Sequence, residues 1–215
     1  MDVSRQQSEP VEETERGPRA RTRRLMLETA TRLMQAGVTP SVSEVAEAAG
    51  VSRATAYRYF PSEAALVHAV VDEALGPILT WRSTSADAGE RVADLFESSL
   101  PRIEEFEATF KAALKLSLEE WAGRQAGTLG NEPQFTRGHR VDLLRQALAP
   151  LKGELSKGQV DRLAQALSLT FGVETLIVLK DIWGLDAGRT QAVAQWAASA
   201  LVRAAVEEAR SSKKG

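Results

Sequence analysis

The stretch Gly50–Phe60, GVSRATAYRYF, decides how the rest of the chain reads. It places two arginines, two tyrosines, a serine and a threonine within eleven residues. A helix buried in a core has little use for so many donors and phenol rings. Ser52 stands where an N-cap belongs, with a hydroxyl that can accept from the amide of Ala54 or Thr55, so a helix starts at Arg53. Just upstream, Ser41-Val42-Ser43-Glu44 has the Ser-x-x-Glu spacing of a capping box, which starts a second short helix. Val45, Ala46 and Ala49 form its apolar face, and Gly50 ends it. Two short helices joined around Gly50-Val51-Ser52 make a helix-turn-helix. In such a unit the second helix enters a DNA major groove with its N-terminal residues toward the base edges.

The residue types then acquire roles. Arg53, beside the cap, can fork onto guanine O6 and N7. Thr55 offers a hydroxyl to phosphate and a methyl to thymine, and Ala54 is small enough to allow close approach. Tyr57 and Tyr59 point to different faces with hydroxyls suited to phosphate oxygens, and Arg58 adds a charge. Ser41 and Ser52 cap helix N-termini that can themselves meet phosphates. Ala56 and Phe60, four apart, pack inward. A single tyrosine on a helix is more often a half-buried packing residue. The ordered coincidence of cap, turn and base-reading types is what points to DNA.

Charge supports this reading. Between Arg16 and Phe60, eight arginines stand against three glutamates, a surplus of +5 on a chain of net charge −2. The basic footprint is therefore local, on an otherwise acidic protein. Arg19, Arg21, Arg23 and Arg24 could act as an arm reaching for phosphates. Residues 1–18, polar and without periodicity, read as a disordered tail, and residues 211–215 as a frayed end.

Further along, the pattern is helical throughout, with no alternating runs and no hairpin signature. Met26, Ala30, Leu33 and Gly37 line one face of a first helix from about Ala20 to Ala36. Ser62 caps a fourth helix. Glu90–Leu100, Pro101–Trp121, Arg140–Leu151 and Ser156 to about Trp183 follow as helices, with Pro101 able to start a helix or kink one and Gly123–Gly138 as a loop. A last helix, Ala187–Arg210, carries Val193, Trp196, Ala197, Ala200, Leu201 and Ala204 on one stripe. The fold class is all-α. Residues 19–66 form a three-helix DNA-binding domain, and residues 67–210 a larger helical domain.

Composition narrows the alternatives. The chain has 215 residues and no cysteine, so disulfides and thiolate chemistry are excluded. The N-terminus lacks the apolar core of a secretory signal, and no uncharged run is long enough to span a bilayer, so a cytoplasmic protein without membrane contact is expected. There is no glycine-rich phosphate loop and no nucleophile elbow, so no catalytic residues, cofactor or enzymatic activity is expected. The two histidines, His68 and His139, show no His-x-x-x-His spacing, and no metal site is expected from spacing alone.

The stretches TRRLMLETATRLMQAG and SVSEVAEAAGVSRATAYRYFPSEAAL resemble the TetR family of bacterial transcription regulators, closely over about Arg21 to Leu66. Beyond that the resemblance is one of architecture, and FGVETLIVLKDIWGLD looks like the C-terminal half of such proteins. The resemblance implies a homodimer, assembled through its last two long helices, that binds a double-stranded palindromic operator, most often as a repressor. A small-molecule effector held in the larger domain would release it. By the same likeness Ser43, Arg53, Ala54, Thr55, Tyr57 and Tyr59 match positions that face DNA. Two positions depart from the family: Glu63 stands where a phosphate-binding lysine is usual, and Ser43 where many relatives carry arginine. Both reduce positive charge.

For the effector, Phe110, Trp121, His139, Phe171, Glu174 and Trp183 are candidate pocket residues, with Phe106 as a further aromatic. Glu174 lies in an apolar run and must find a partner, either an internal arginine or a cationic or hydroxylated effector. Two rival readings remain open from the residues. One is a DNA-binding protein controlled by a protein partner, and the other is a helical enzyme that happens to carry a helix-turn-helix.

Overall fold

A computed structural model of the protein describes residues 17–128 and 138–212. The expected tail through residue 16, most of the glycine-rich loop and the last three residues lie outside the described residues. Among the described residues there is no strand, only an isolated bridge between Lys152 and Leu155.

The N-terminal unit consists of α1 (Pro18–Gln35), α2 (Val42–Ala48) and α3 (Arg53–Tyr59), followed by α4 (Glu63–Leu75). Pro18 opens α1 at a position where a missing N–H costs nothing. Arg19, Arg21, Arg23 and Arg24 therefore sit on the exposed side of a helix and not on an extended arm. The capping box of α2 is complete: the Ser41 hydroxyl accepts from the Glu44 amide at 3.2 Å, and the Ser41 amide donates to the Glu44 carboxylate at 2.7 Å. Hydrogen bonding to the Ser41 backbone amide, and then to its side chain, holds the Glu44 carboxyl below its ordinary value. At the other end of α2 the amides of Gly50 and Val51 reach back to the carbonyls of Glu47 (3.1 Å) and Ala46 (2.8 Å). This is a Schellman turn, and it needs the left-handed φ of +66° that Gly50 supplies. Met26, Ala30, Met34, Val45, Ala46, Ala56 and Phe60 are buried together, so the turn is locked over a shared core.

The larger body holds α5 (Ala88–Glu105), α6 (Glu107–Ala126), α7 (His139–Ala147), α8 (Lys157–Ser168), α9 (Val173–Leu176) and α10 (Ala187–Ser212). Packing of α6 against both α1 and α4 seats the DNA-binding unit on this body, while α10 lies along α5 and touches α8. Two boundaries differ from expectation. Pro101 neither starts a helix nor ends one; it lies inside α5, and the break falls at Phe106. Burial of Leu95, Leu100 and Ile103 on one side carries α5 past the hydrogen bond that the proline removes.

The expected single helix from Ser156 to Trp183 is broken. It divides at Ser168–Gly172, the axes on either side differ by 48°, and α9 runs on into a π-helical turn, Ile177–Ile182. A network of ion pairs fixes that turn: Lys180 reaches Glu104 and Glu107 at 2.7 Å each, and Lys111 reaches Glu107 and Asp181, also at 2.7 Å each. Burial pushes the Glu107 carboxyl up, but hydrogen bonds from Lys111 and Lys180 outweigh it and hold the group below its ordinary value. Among the described residues no single helix is long and apolar enough to cross a membrane.

The stripe read on the last helix is divided: Val193, Trp196 and Ala204 are exposed, Ala197 and Ala200 are half-buried, and Leu201 packs against the core. Ala194, Ala198, Val202 and Ala209 of α10 are buried against the body.

Candidate nucleic-acid interface and effector pocket

The recognition helix α3 presents Ser52, Arg53, Ala54, Tyr57 and Arg58 to solvent and buries Ala56 and Phe60. Exposure of Arg53 and Ala54 beside the N-cap matches the geometry in which the first turn approaches base edges. The Ser52 hydroxyl accepts from the Thr55 amide at 3.3 Å and donates to the Thr55 hydroxyl at 2.9 Å. Thr55, half-buried, therefore keeps its own hydroxyl proton to donate outward. Ser43 and Tyr57, on adjacent helices, bring their hydroxyls to 3.4 Å of each other. The two tyrosines separate: Tyr57 is 47% exposed, whereas Tyr59 packs partly buried against the core. Ser41 is occupied in the capping box, so its part at this surface is to set the start of α2. The Arg23 guanidinium lies 5.7 Å over the Phe60 ring, tying the basic face of α1 to the end of α3. Glu63 opens α4 in its first turn, where the helix dipole favours an acid.

Below this unit lies a cavity of about 90 Å³ lined by Val71 and Leu75 of α4, Ile78, Ile103, Phe110 and Ala113, Gly138 to Arg140, Leu143, and Phe171 to Val173. Of the expected pocket residues, Phe110, His139 and Phe171 line it. Phe171 also packs on Phe96 at 4.9 Å between ring centroids. Trp121 and Trp183 do not line it; they are 56% and 73% exposed, on the outer side of α6 and just past the π-helical turn. Nor does Phe106, which stacks under the Arg102 guanidinium at 4.8 Å.

Glu174 finds the internal arginine. Arg140 donates to its carboxylate at 2.7 Å and to the Ser168 carbonyl at 3.2 Å. Arg140 lines the cavity and was missed in the sequence; the one signal for it was the charge that Glu174 demanded. Val71 and Leu75 also line the cavity, and the aromatic character that singled out candidates gave no signal for these aliphatic residues of α4.

An exposed, capped recognition helix on a three-helix unit, carried by a helical body with its own cavity, defines a helix-turn-helix DNA-binding transcription regulator. Residues 26–70 match the family described as bacterial regulatory proteins, tetR family. A TetR transcriptional regulator from Rhodococcus sp. RHA1 shares the fold, with a TM-score of 0.55 and 21% identity over 86% of this chain and 97% of that one. A proposed fatty acid metabolism regulator from Clostridium perfringens does so with a TM-score of 0.53 and 16% identity over 80% of this chain and 94% of that one. No curated protein matches the chain. Over residues 26–70, from within α1 into α4, the chain is similar to the bacterial tetR-family regulators, and its helical body shares the architecture of those two structures.

Proposed function

We propose that the protein is a homodimeric repressor, acting in the cytoplasm, that is released from a palindromic operator by a small apolar effector. The observation that carries this reading is the course of α4. Its N-terminus abuts the recognition helix through Phe60-Pro61-Ser62, and its C-terminal half supplies Val71 and Leu75 to the cavity wall. A ligand that pushes on that wall pushes on the helix that carries α3. The cavity, at about 90 Å³, is well below the roughly 300–1,000 Å³ of ligand pockets. An effector of ordinary size must therefore part α4 from α7 to enter, which couples binding to movement. The lining is apolar apart from His139 and Arg140, so an apolar body with a small polar or acidic head fits it.

Arg53, Ala54, Thr55 and Tyr57 are the residues we assign to DNA, with Ser43, Ser52, Arg58 and Tyr59 supporting them. For the dimer, Val193 and Trp196 on the outward face of α10, the latter 70% exposed, offer an apolar surface of the kind that two copies cover together.

Selection of bound fragments from the source genome tests the reading. Enrichment of one palindrome is expected, and its absence would sink the proposal. The small cavity also favours a second reading, control by a protein partner without any small ligand. A thermal-shift screen of apolar acids separates the two, since only an effector-controlled protein gains stability from one of them.

A further inference from the structure

We propose that His68, Asp72 and His139 form a binding site for a divalent transition cation of the zinc class, joining α4 to α7 beside the cavity. These are the chain's only two histidines, distant in sequence, and the fold brings their rings to 5.8 Å in an edge-on arrangement. Asp72 lies between them: His139 Nε2 is 2.8 Å from one carboxylate oxygen, and His68 Nδ1 is 3.6 Å from the other. One donor atom from each of the three residues falls within 4.8 Å of the other two.

The donor set selects the metal. Two imidazoles and one carboxylate suit zinc, cobalt, nickel or copper, whereas magnesium and calcium prefer oxygen alone. Bonds of roughly 2.0–2.2 Å from a tetrahedral centre put neighbouring donors roughly 3.3–3.6 Å apart. The His68–Asp72 separation of 3.6 Å already lies close to that edge. The 2.8 Å contact from His139 is a hydrogen bond, and it must widen by roughly half an ångström as the metal takes the place of the shared proton. All three side chains are half-exposed, at 36–44%, so a cation can enter from solvent. Three protein ligands leave a fourth position for water. His68 and Asp72, four apart on α4, form a preset pair, and His139 is the first residue of α7. Metal binding therefore clamps two helices that both line the cavity.

The test uses untagged full-length protein freed of metal with a chelator. Titration with cobalt is expected to give one equivalent per chain and the intense visible absorption of a four-coordinate centre, and zinc is expected to displace it. His68→Ala, Asp72→Asn and His139→Ala should each weaken zinc binding at least tenfold, comparable with or beyond what loss of an outer-shell partner costs. Circular dichroism checks that each variant is folded, and the conservative Asp72→Asn keeps the test usable if an alanine variant is not. No saturable binding in the wild type, or unchanged zinc affinity in the folded Asp72→Asn or His68→Ala protein, overturns the proposal. With only two histidines in the chain, imidazole-dependent binding has no other origin. An effect of zinc on operator affinity would rest on the repressor reading. Failure to select any DNA sinks that reading and leaves the titration standing.

Discussion

Replacing Gly172 with alanine should destabilise this protein more than the same change at Gly50, in the turn after α2. Gly172 has φ +126° and ψ −173°, a region that side chains essentially do not enter, at a cost of about 1–3 kcal/mol. A Cβ there would also lie 2.9 Å from Arg140 Nη2, 3.0 Å from its Cζ and 3.1 Å from the Glu174 carboxylate. One methyl thus collides with both partners of the ion pair that closes the cavity wall. The pair is partly solvent-exposed, at 23% and 39%, so its disruption adds about 1 kcal/mol at most. The total is about 1–4 kcal/mol, which for a chain of this size lowers Tm by about 2–16 °C. The control is Gly50→Ala, where φ is +66° and nothing lies within 4 Å, so only backbone strain of about 1–2 kcal/mol applies. Thermal unfolding followed by circular dichroism measures both. A Tm for Gly172→Ala equal to that of Gly50→Ala, or unchanged from wild type, would refute the argument that Arg140 and Glu174 close over a backbone site only glycine can fill.

Other outcomes follow from the same geometry. Arg53→Ala should cost about 1–3 kcal/mol of operator affinity and relax one base preference, while leaving Tm unchanged because the side chain is exposed; fluorescence anisotropy on the selected DNA reads both. Ser62→Ala removes the acceptor that caps the Ala65 amide at 3.1 Å and should cost about 0.5–2 kcal/mol in denaturant unfolding. Lys180→Met strips a donor from Glu104 and Glu107 and should cost about 1–2 kcal/mol at neutral pH. Since Glu107 is held below its ordinary value in the folded state, its contribution is complete above the unfolded pKa near ~4.3 and is lost as pH falls through the folded one. The Tm difference between wild type and Lys180→Met should therefore shrink below about pH 4; a difference that persists there would show that the ion pairs are not its source.

Local chemistry is what the chain spells out most directly. Ser41 with Glu44, Gly50 and Ser52 specify two short helices and the turn between them through hydrogen bonds that span five residues or fewer. Such bonds need no distant partner, so the helix-turn-helix and its exposed Arg53 are legible in GVSRATAYRYF. The body was less legible because its decisive partners are far apart in the chain. Periodicity carried a helix straight from Ser156 to Trp183, and only the meeting of Arg140 with Glu174 around Gly172 explains why it bends. Aromatic character suggested Trp121 and Trp183 for the cavity, yet packing turned them to solvent and filled the wall with Val71, Leu75 and Arg140. His68 and His139 carry no motif in one dimension; they become a pair because α4 and the start of α7 lie side by side. Short-range hydrogen bonding and periodicity are written along the chain, whereas contacts between distant helices arise only when the core closes.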